Sequence, residues 1–582
     1  MEQQDSAGMH VVVFHGAGSG TYDLTWEQEQ VCLWMENSAP HIAHMNLGLL
    51  IELERPTTVE DVQLALQTLI ERHEALRSRL LVTEAGRYQQ VVCATGSLPI
   101  DVHPCTDWGE PQHILQELKS LPFTVFEWPL RIALIIMKGA VTAIAICVSH
   151  IASDGWGMKV ISRDIKEFLS STPEQREAIS KASPRPLIQP REQAAAERSR
   201  TGSSNRRAQK IWSNGMAHFP NDRFPVAVKE PEAPRFPQVT MESRTAARDL
   251  ETISARYDVS PHAVVIGALS LLLSELSGLP VASFRLFCAN RTTKESQNSV
   301  GTFFQIVPVT IDVSDLSFRA VVQAAWKASL DVQRVGARDP RLLSQLTESV
   351  SAERGVAADL ECFINLHGDS EFFSVYGGDS TANKDVDSTR FHIDGGIEVW
   401  EPGKFYVDVF RISERLVISF WVDTALFSRE QIIGFLKQLE LIISRVAVSD
   451  EHLTTRKILE DLSVASGIER QDGLTRVDGC WVDLDEIQSL LVDTLSPRAV
   501  QVFLKEEDTG RTSLTAYLVT ESGTVTPADA HGILLSKIEK RRFVMTPHWY
   551  VMCETAPSLP ASQDDWTQQK VISQGSGRPG TE

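Results

Sequence analysis

The chain has 582 residues, 42% hydrophobic and 23% charged, with a formal net charge of -20 at pH 7. That length predicts about three domains, and the ordinary composition predicts a soluble globular protein. The negative charge argues against a general nucleic-acid binder and against attachment to an anionic membrane.

The first residues, Met1-Glu-Gln-Gln-Asp5, are acidic and do not read as a secretory leader, so a cytoplasmic location is expected. A strand is predicted at His10–Phe14, followed by the glycine-rich His15-Gly-Ala-Gly-Ser-Gly20. No long helix with a following acidic residue supports a dinucleotide site there. Leu24-Thr-Trp-Glu-Gln28 and Leu33-Trp34 come next. Apolar spacings of three and four then predict a helix from Val59 to Arg79, which carries Glu71-Arg72-His73-Glu74-Ala75-Leu76-Arg77.

The most apolar stretch, Leu130 to Ile151, has the length of a membrane span. Lys138-Gly139 breaks it, and the β-branched residues on both sides predict two buried strands, Arg131–Met137 and Val141–His150. At the end of the second strand stands Ser149-His150-Ile-Ala-Ser-Asp154-Gly155-Trp156. An imidazole on a rigid strand end can be aimed into a cleft and can manage protons near neutral pH. The Asp-Gly pair adds a carboxylate and a sharp turn. An amphipathic helix is predicted over Met158–Leu169.

From Ser171 to about Pro237 the chain is rich in Pro, Ser, Glu and Arg and reads as a linker with one helix near Arg206–His218. Its basic residues Arg198, Arg200, Arg206, Arg207 and Lys210 form a solvated face. An alternative reading is a dock for an acidic carrier protein or its phosphate. Ser260-Pro261 caps an apolar helix to Leu276. Strands are expected at Val281–Cys288, Gly301–Val313, Phe405–Val409 and Arg415–Thr424, and Ser299-Val-Gly-Thr-Phe-Phe-Gln305-Ile-Val-Pro308 lies among them. The eight cysteines stand singly, without metal-ligand spacing, so reduced thiols and no metal are expected.

Taken in order, these four segments resemble the condensation domains of nonribosomal peptide synthetases over roughly residues 20 to 448. The family's His-His-x-x-x-Asp-Gly falls on Ser149 through Gly155, with its second histidine on His150. Its Arg-His-Glu-x-Leu-Arg falls on Arg72 through Arg77, and its Gly-x-Phe-x-Asn on Gly301 through Gln305. The resemblance implies an α/β fold. Two chloramphenicol-acetyltransferase-like lobes would form a V-shaped pseudo-dimer, with the catalytic cleft between them. The expected divisions are an N-terminal lobe (1–185), a linker (186–237) and a C-terminal lobe (238–448). A degenerate adenylation-type subdomain (449–572) and a disordered tail (573–582) follow, making a small α+β C-terminal domain.

That last assignment comes from the order Gly473 to Ile487, strands Val500–Leu504 and Leu514–Val519, a helix Ala528–Lys540, and Val544-Met-Thr-Pro547. This order resembles the small C-terminal subdomain of adenylation enzymes. The family's Arg-Gly-x-Arg is replaced by Asp478-Gly479-Cys480-Trp481, and no phosphate-gripping loop is present, so ATP-dependent activation by this chain is not expected.

The resemblance implies an acyltransferase that joins a carrier-bound (amino)acyl thioester to an amine. His150 would position the amine and take its proton. Asp154 would form a buried structural pair with Arg77 or Arg72. Gly155 offers a backbone amide near the reacting carbonyl, or only the turn, and Trp156 stands beside it. Ser149 replaces a histidine that points away from the cleft, and Gln305 replaces an asparagine with one more methylene. His73, His367 and His392 read as structural. The expected partners are an acyl or peptidyl carrier protein and either a small amine or a second carrier-bound aminoacyl acceptor. Neither nucleic acid nor membrane is expected. Phosphopantetheine would arrive on the partner, and no cofactor or metal would be bound by this chain. Two alternatives remain open: an ester-forming transferase acting on an alcohol, and a non-catalytic scaffold of the same fold.

Overall fold

The apolar run folds back on itself in the computed structural model, where Leu130–Met137 and Ala140–Val148 pair antiparallel across Lys138 and Gly139. Both turn residues have positive φ, 54° and 82°, which is why a glycine sits at the second. The structure describes residues 10–579 except 125, 182–184, 200–202, 336–338, 368–387, 401–402, 450–452, 463–467, 507–511 and 521–524. Among the described residues no single helix is long and apolar enough to cross a membrane.

The hairpin sits inside a five-stranded sheet ordered His10–His15, Thr95–Pro104, Leu130–Met137, Ala140–Val148, Leu47–Thr57. Ile132, Leu134, Ile144 and Ile146 face the helices Val59–Arg72 and Gly155–Ser170. Ala133, Ile135, Ala143 and Ala145 face Glu110–Ser120. Burial of alternate residues on opposite faces explains why both strands are apolar throughout.

The second lobe is a seven-stranded sheet ordered Gln305–Asp312, Val281–Cys288, Cys362–Leu366, Phe405–Arg411, Leu416–Val422, Phe236–Ser243, Arg390–Ile397. One face supplies Phe284, Leu286, Val407, Val409, Phe420 and Met241 to a core shared with the helices Arg244–Tyr257, Pro261–Ser277, Phe318–Val335 and Arg429–Ala447. Strand alternation puts Phe287, Phe363, Tyr406, Asp408, Trp421 and Gln238 on the other face.

Several boundaries differ from expectation. The helix from Val59 ends at Arg72, and a 3₁₀ turn, Glu74–Arg77, takes over with all four residues buried. A continued α-helix would carry some of them outward. Among the described residues the linker holds three helices, Pro173–Lys181, Pro190–Ser199 and Ser203–Met216, in place of one. The C-terminal lobe passes the expected limit at 448, because Thr455–Leu462 buries Ile458 in its core. Beyond it, Ala499–Glu506, Thr512–Val519, Trp549–Cys553 and Val571–Gly575 form a four-stranded sheet around a separate core. The tail expected to be disordered from 573 instead supplies the last of these strands, and Arg578 donates to Thr546 O at 3.2 Å. Residues 580–582 lie outside the described residues.

Candidate functional site

His150 stands two residues past Val148, the last residue of the strand Ala140–Val148. The strand fixes its direction, and a tight turn holds the rest: Ala152 N donates to Ser149 O at 2.9 Å and Thr302 Oγ1 donates to His150 O at 2.7 Å. His150 Nδ1 lies 3.0 Å from Ser153 O. A carbonyl only accepts, so Nδ1 carries the proton and Nε2 keeps the lone pair. Burial lowers the His150 pKa below its ordinary value, although its own backbone, Asp154 and Ser153 act the other way. The imidazole is therefore neutral near pH 7, the form able to accept a proton.

His150 lines a cavity of about 770 Å³ between the two sheets. The helix Gly155–Ser170 starts at this cavity, where Gly155 and Trp156 are also lining residues. Its first-turn amides and positive end therefore border the same cavity as the imidazole. Trp156 Nε1 donates to Gln297 O at 3.0 Å, so the indole bridges to the second lobe. Lys159, one turn on, does the same through His367 O at 2.9 Å.

Asp154 does not pair with Arg72 or Arg77. Its Oδ1 accepts from Arg291 Nη2 at 2.7 Å and from Gly157 N at 2.7 Å, and Oδ2 accepts from Phe303 N at 2.9 Å. Arg291 also donates to Ser296 O, Ser299 O and Gly301 O. Both side chains are buried, at 1% and 5% exposure. Burial lowers the Arg291 pKa, and Asp154 opposes the shift.

The two arginines expected as partners are occupied elsewhere. Arg72 lies 3.2 Å from Asp164, which also meets His73 at 3.1 Å. Burial alone would raise the Asp164 pKa, but His73, Arg72 and Arg163 together hold it at about 2. Arg77 donates to Ala17 O, Gly18 O and Cys93 O. The glycine-rich loop thus wraps a guanidinium, and a Cβ at Gly16 would collide with it.

Ser149 is buried and lines a separate small hollow with Gln28, Arg79 and Gln90, away from the main cavity. Gln305 begins the strand Gln305–Asp312 and turns to a buried carboxyl pair, Glu27 and Glu197, instead of the cavity. Of the basic cluster, Arg198 pairs with Glu29 at 2.7 Å; Arg200 and the Arg207 side chain lie outside the described residues.

Three further residues line the cavity: His44 and Asp408, which the sequence did not mark, and His367, which it marked as structural. His44 enters from the 3₁₀ turn Ile42–Met45 with Nδ1 2.6 Å from His41 O, and burial lowers its pKa. His367 reaches Asp408 Oδ1 at 2.6 Å, so the imidazole read as structural is a cavity residue. Asp408 lies on Phe405–Arg411 beside Tyr406, whose hydroxyl accepts from Asn365 Nδ2 at 2.9 Å; burial raises the Tyr406 pKa well above its usual value. No sequence motif surrounds any of the three.

The condensation-domain family model matches residues 19–463. Malpibaldin synthetase of Mortierella alpina is 24% identical over 330 residues, 54% of this chain and 6% of that protein. Surfactin synthase subunit 1 of Bacillus subtilis (strain 168) is 22% identical over 477 residues, 79% of this chain and 12% of that protein. The chain therefore spans a small part of these relatives. Among solved structures, the first condensation domain of the CDA synthetase superposes with a TM-score of 0.55 at 16% identity, covering 76% of this chain and 98% of that one.

Proposed function

The chain belongs to the condensation-domain family, and on that premise we propose that it is an acyltransferase of nonribosomal-peptide or related natural-product biosynthesis, condensing a carrier-bound (amino)acyl thioester with an amine. The observation carrying this reading is the His150 imidazole: neutral, fixed as the Nδ1–H tautomer by Ser153 O, and set in a cavity between two lobes.

The amine nitrogen attacks the thioester carbonyl and loses a proton to His150 Nε2 as the C–N bond forms. The oxyanion builds up beside the first-turn amides at Gly155 and Trp156. Collapse breaks the C–S bond, and the proton returns from His150 to the departing thiolate. The chain's part is to position, to hold one proton and to exclude water. Phosphopantetheine belongs to the partner carrier in this reading, and the chain itself supplies no cofactor. Residues 449–572, apart from the helix Thr455–Leu462 that packs into the C-terminal lobe, are read as a degenerate adenylation-type subdomain, on sequence resemblance alone.

The test is intact-mass detection of product with acyl-loaded carriers or acyl-pantetheine donors and a panel of amines. His150→Ala should lower turnover by about 10² or more with an unchanged melting temperature. Retention of most activity by folded His150→Ala would refute the assignment. Lability of the product to hydroxylamine would identify an ester, and hence an alcohol acceptor.

A further inference from the structure

The cavity wall leading away from His150 is a continuous row of rings. Phe304 lies 5.3 Å from the His150 ring and Phe287 5.6 Å from Phe304. Tyr406 lies 5.8 Å from Phe287 and Trp400 4.9 Å from Tyr406, and Trp421 stands nearly perpendicular to Trp400 at 6.3 Å. All of them line the cavity, and Tyr406, Trp400 and Trp421 are absent from the C-terminal lobe's hydrophobic core. Rings that line a cavity instead of closing a core form a surface suited to a ligand.

Polar groups meet the row at its far end. Gln238 and Asp394 line the cavity there, on the paired strands Phe236–Ser243 and Arg390–Ile397. Asp394 Oδ2 accepts from Thr240 Oγ1 at 2.6 Å and lies 3.2 Å from His392 Nε2. Oδ1 takes no part in either contact.

We propose that this limb of the cavity is an aryl-binding subsite for a substrate whose aromatic ring carries an O–H or N–H. The ring lies against Tyr406, Trp400 and Trp421, and the donor bonds the Asp394 carboxylate. This rests on the reading of His150 as the transfer site and names the substrate class of that site. A plain acyl chain would satisfy the rings but leave a carboxylate facing hydrocarbon, which is unfavourable. Asp394 Oδ2 already faces Thr240 Oγ1 and His392 Nε2, so a single neutral donor at Oδ1 completes the carboxylate.

The probes are N-acetyltyramine, N-acetyl-O-methyltyramine, and the analogue of N-acetyltyramine with a hydroxycyclohexyl ring, each titrated into the full chain by calorimetry or saturation-transfer NMR. The methyl ether should bind about ten-fold more weakly through loss of the donor, and the cyclohexyl analogue about as much more weakly through loss of the ring. Asp394→Ala should abolish the preference for the free phenol, and Trp400→Leu the preference for the ring. If Asp394→Ala does not fold, Asp394→Asn should narrow the phenol preference, because a neutral amide oxygen accepts more weakly than a carboxylate, and an unchanged preference in that variant overturns the subsite. Equal affinity for the three probes, no saturable binding of N-acetyltyramine, or an unchanged phenol preference in folded Asp394→Ala overturns the subsite. Binding needs no turnover, so an absence of condensation would sink the reading of His150 and leave this result intact. Efficient condensation with no preference for aryl substrates would do the reverse.

Discussion

Asp154 serves three elements at once: it caps its own helix through Gly157 N, holds Phe303 N of the crossing segment, and neutralises Arg291. Neither Asp154 nor Arg291 lines the cavity with a free charge, so both act through the position they give the His150 turn. Removing one member of a buried pair leaves the other uncompensated and typically loses about 3–5 kcal/mol. Asp154→Ala and Arg291→Met should each lower stability by about that amount, and the double variant by clearly less than the sum. Chemical denaturation of the four proteins checks this. Additivity with Arg291, or a coupling with Arg72 or Arg77 instead, would contradict the pairing. The sequence shows Asp154 in its motif but not its partner: Arg291 lies 137 positions away, and only the folded crossing of the lobes brings it near.

At the scale of elements, the glycine-rich loop after His10–His15 has the composition of a phosphate cradle and the opposite polarity. Its carbonyls, not its amides, point at the charge, and that charge is Arg77. The 3₁₀ turn Glu74–Arg77 delivers the guanidinium, which explains why the helix predicted to Arg79 stops early. A methyl at Gly16 would have to displace a buried arginine. Gly16→Ala should therefore destabilise the protein by about 1–3 kcal/mol, as overpacking does. Thermal melting tests it, and an unchanged midpoint would mean the loop and Arg77 separate easily. Strand positions were legible because Leu130–Met137 and Ala140–Val148 are short continuous apolar runs split by Lys138-Gly139, and Val281–Cys288 is mostly apolar. The ring-lined limb was not. It takes one or two residues from each of several strands, and a period of two does not say which face meets a cavity. Two linker helices, Pro173–Lys181 and Pro190–Ser199, were missed for a related reason: with few apolar residues, the second holds its place through contacts such as Trp26 N to Glu197 Oε2 that no local pattern encodes.

At the scale of the molecule, the lobes are stitched by a segment of the second inserted into the first. Val300 and Phe304 belong to the N-terminal lobe's core, and Gln305 continues into the C-terminal lobe's sheet. Where that segment crosses, Glu27 of the helix Trp26–Ser38 meets Glu197 of the linker helix Pro190–Ser199. Gln193 Nε2 donates to Glu197 at 2.8 Å and lies 3.5 Å from Glu27. Burial, then the Glu197 charge, raises the Glu27 pKa well above its ordinary value, so the pair folds holding a proton. The sign follows from linkage. A carboxyl whose pKa is raised by folding contributes fully below its unfolded pKa near 4.3, and that contribution falls as pH rises through the folded value. The parent protein should therefore lose stability relative to Glu27→Gln as pH increases above about 4.3, by up to about 1.4 kcal/mol per pH unit, until Glu27 ionises. Glutamine copies the protonated acid in shape and donor, so the variant should match the parent under acid conditions and exceed it near pH 8. Urea denaturation of both proteins across that span reads the difference directly, and parallel curves would show that the two carboxyls share no proton at the lobe crossing.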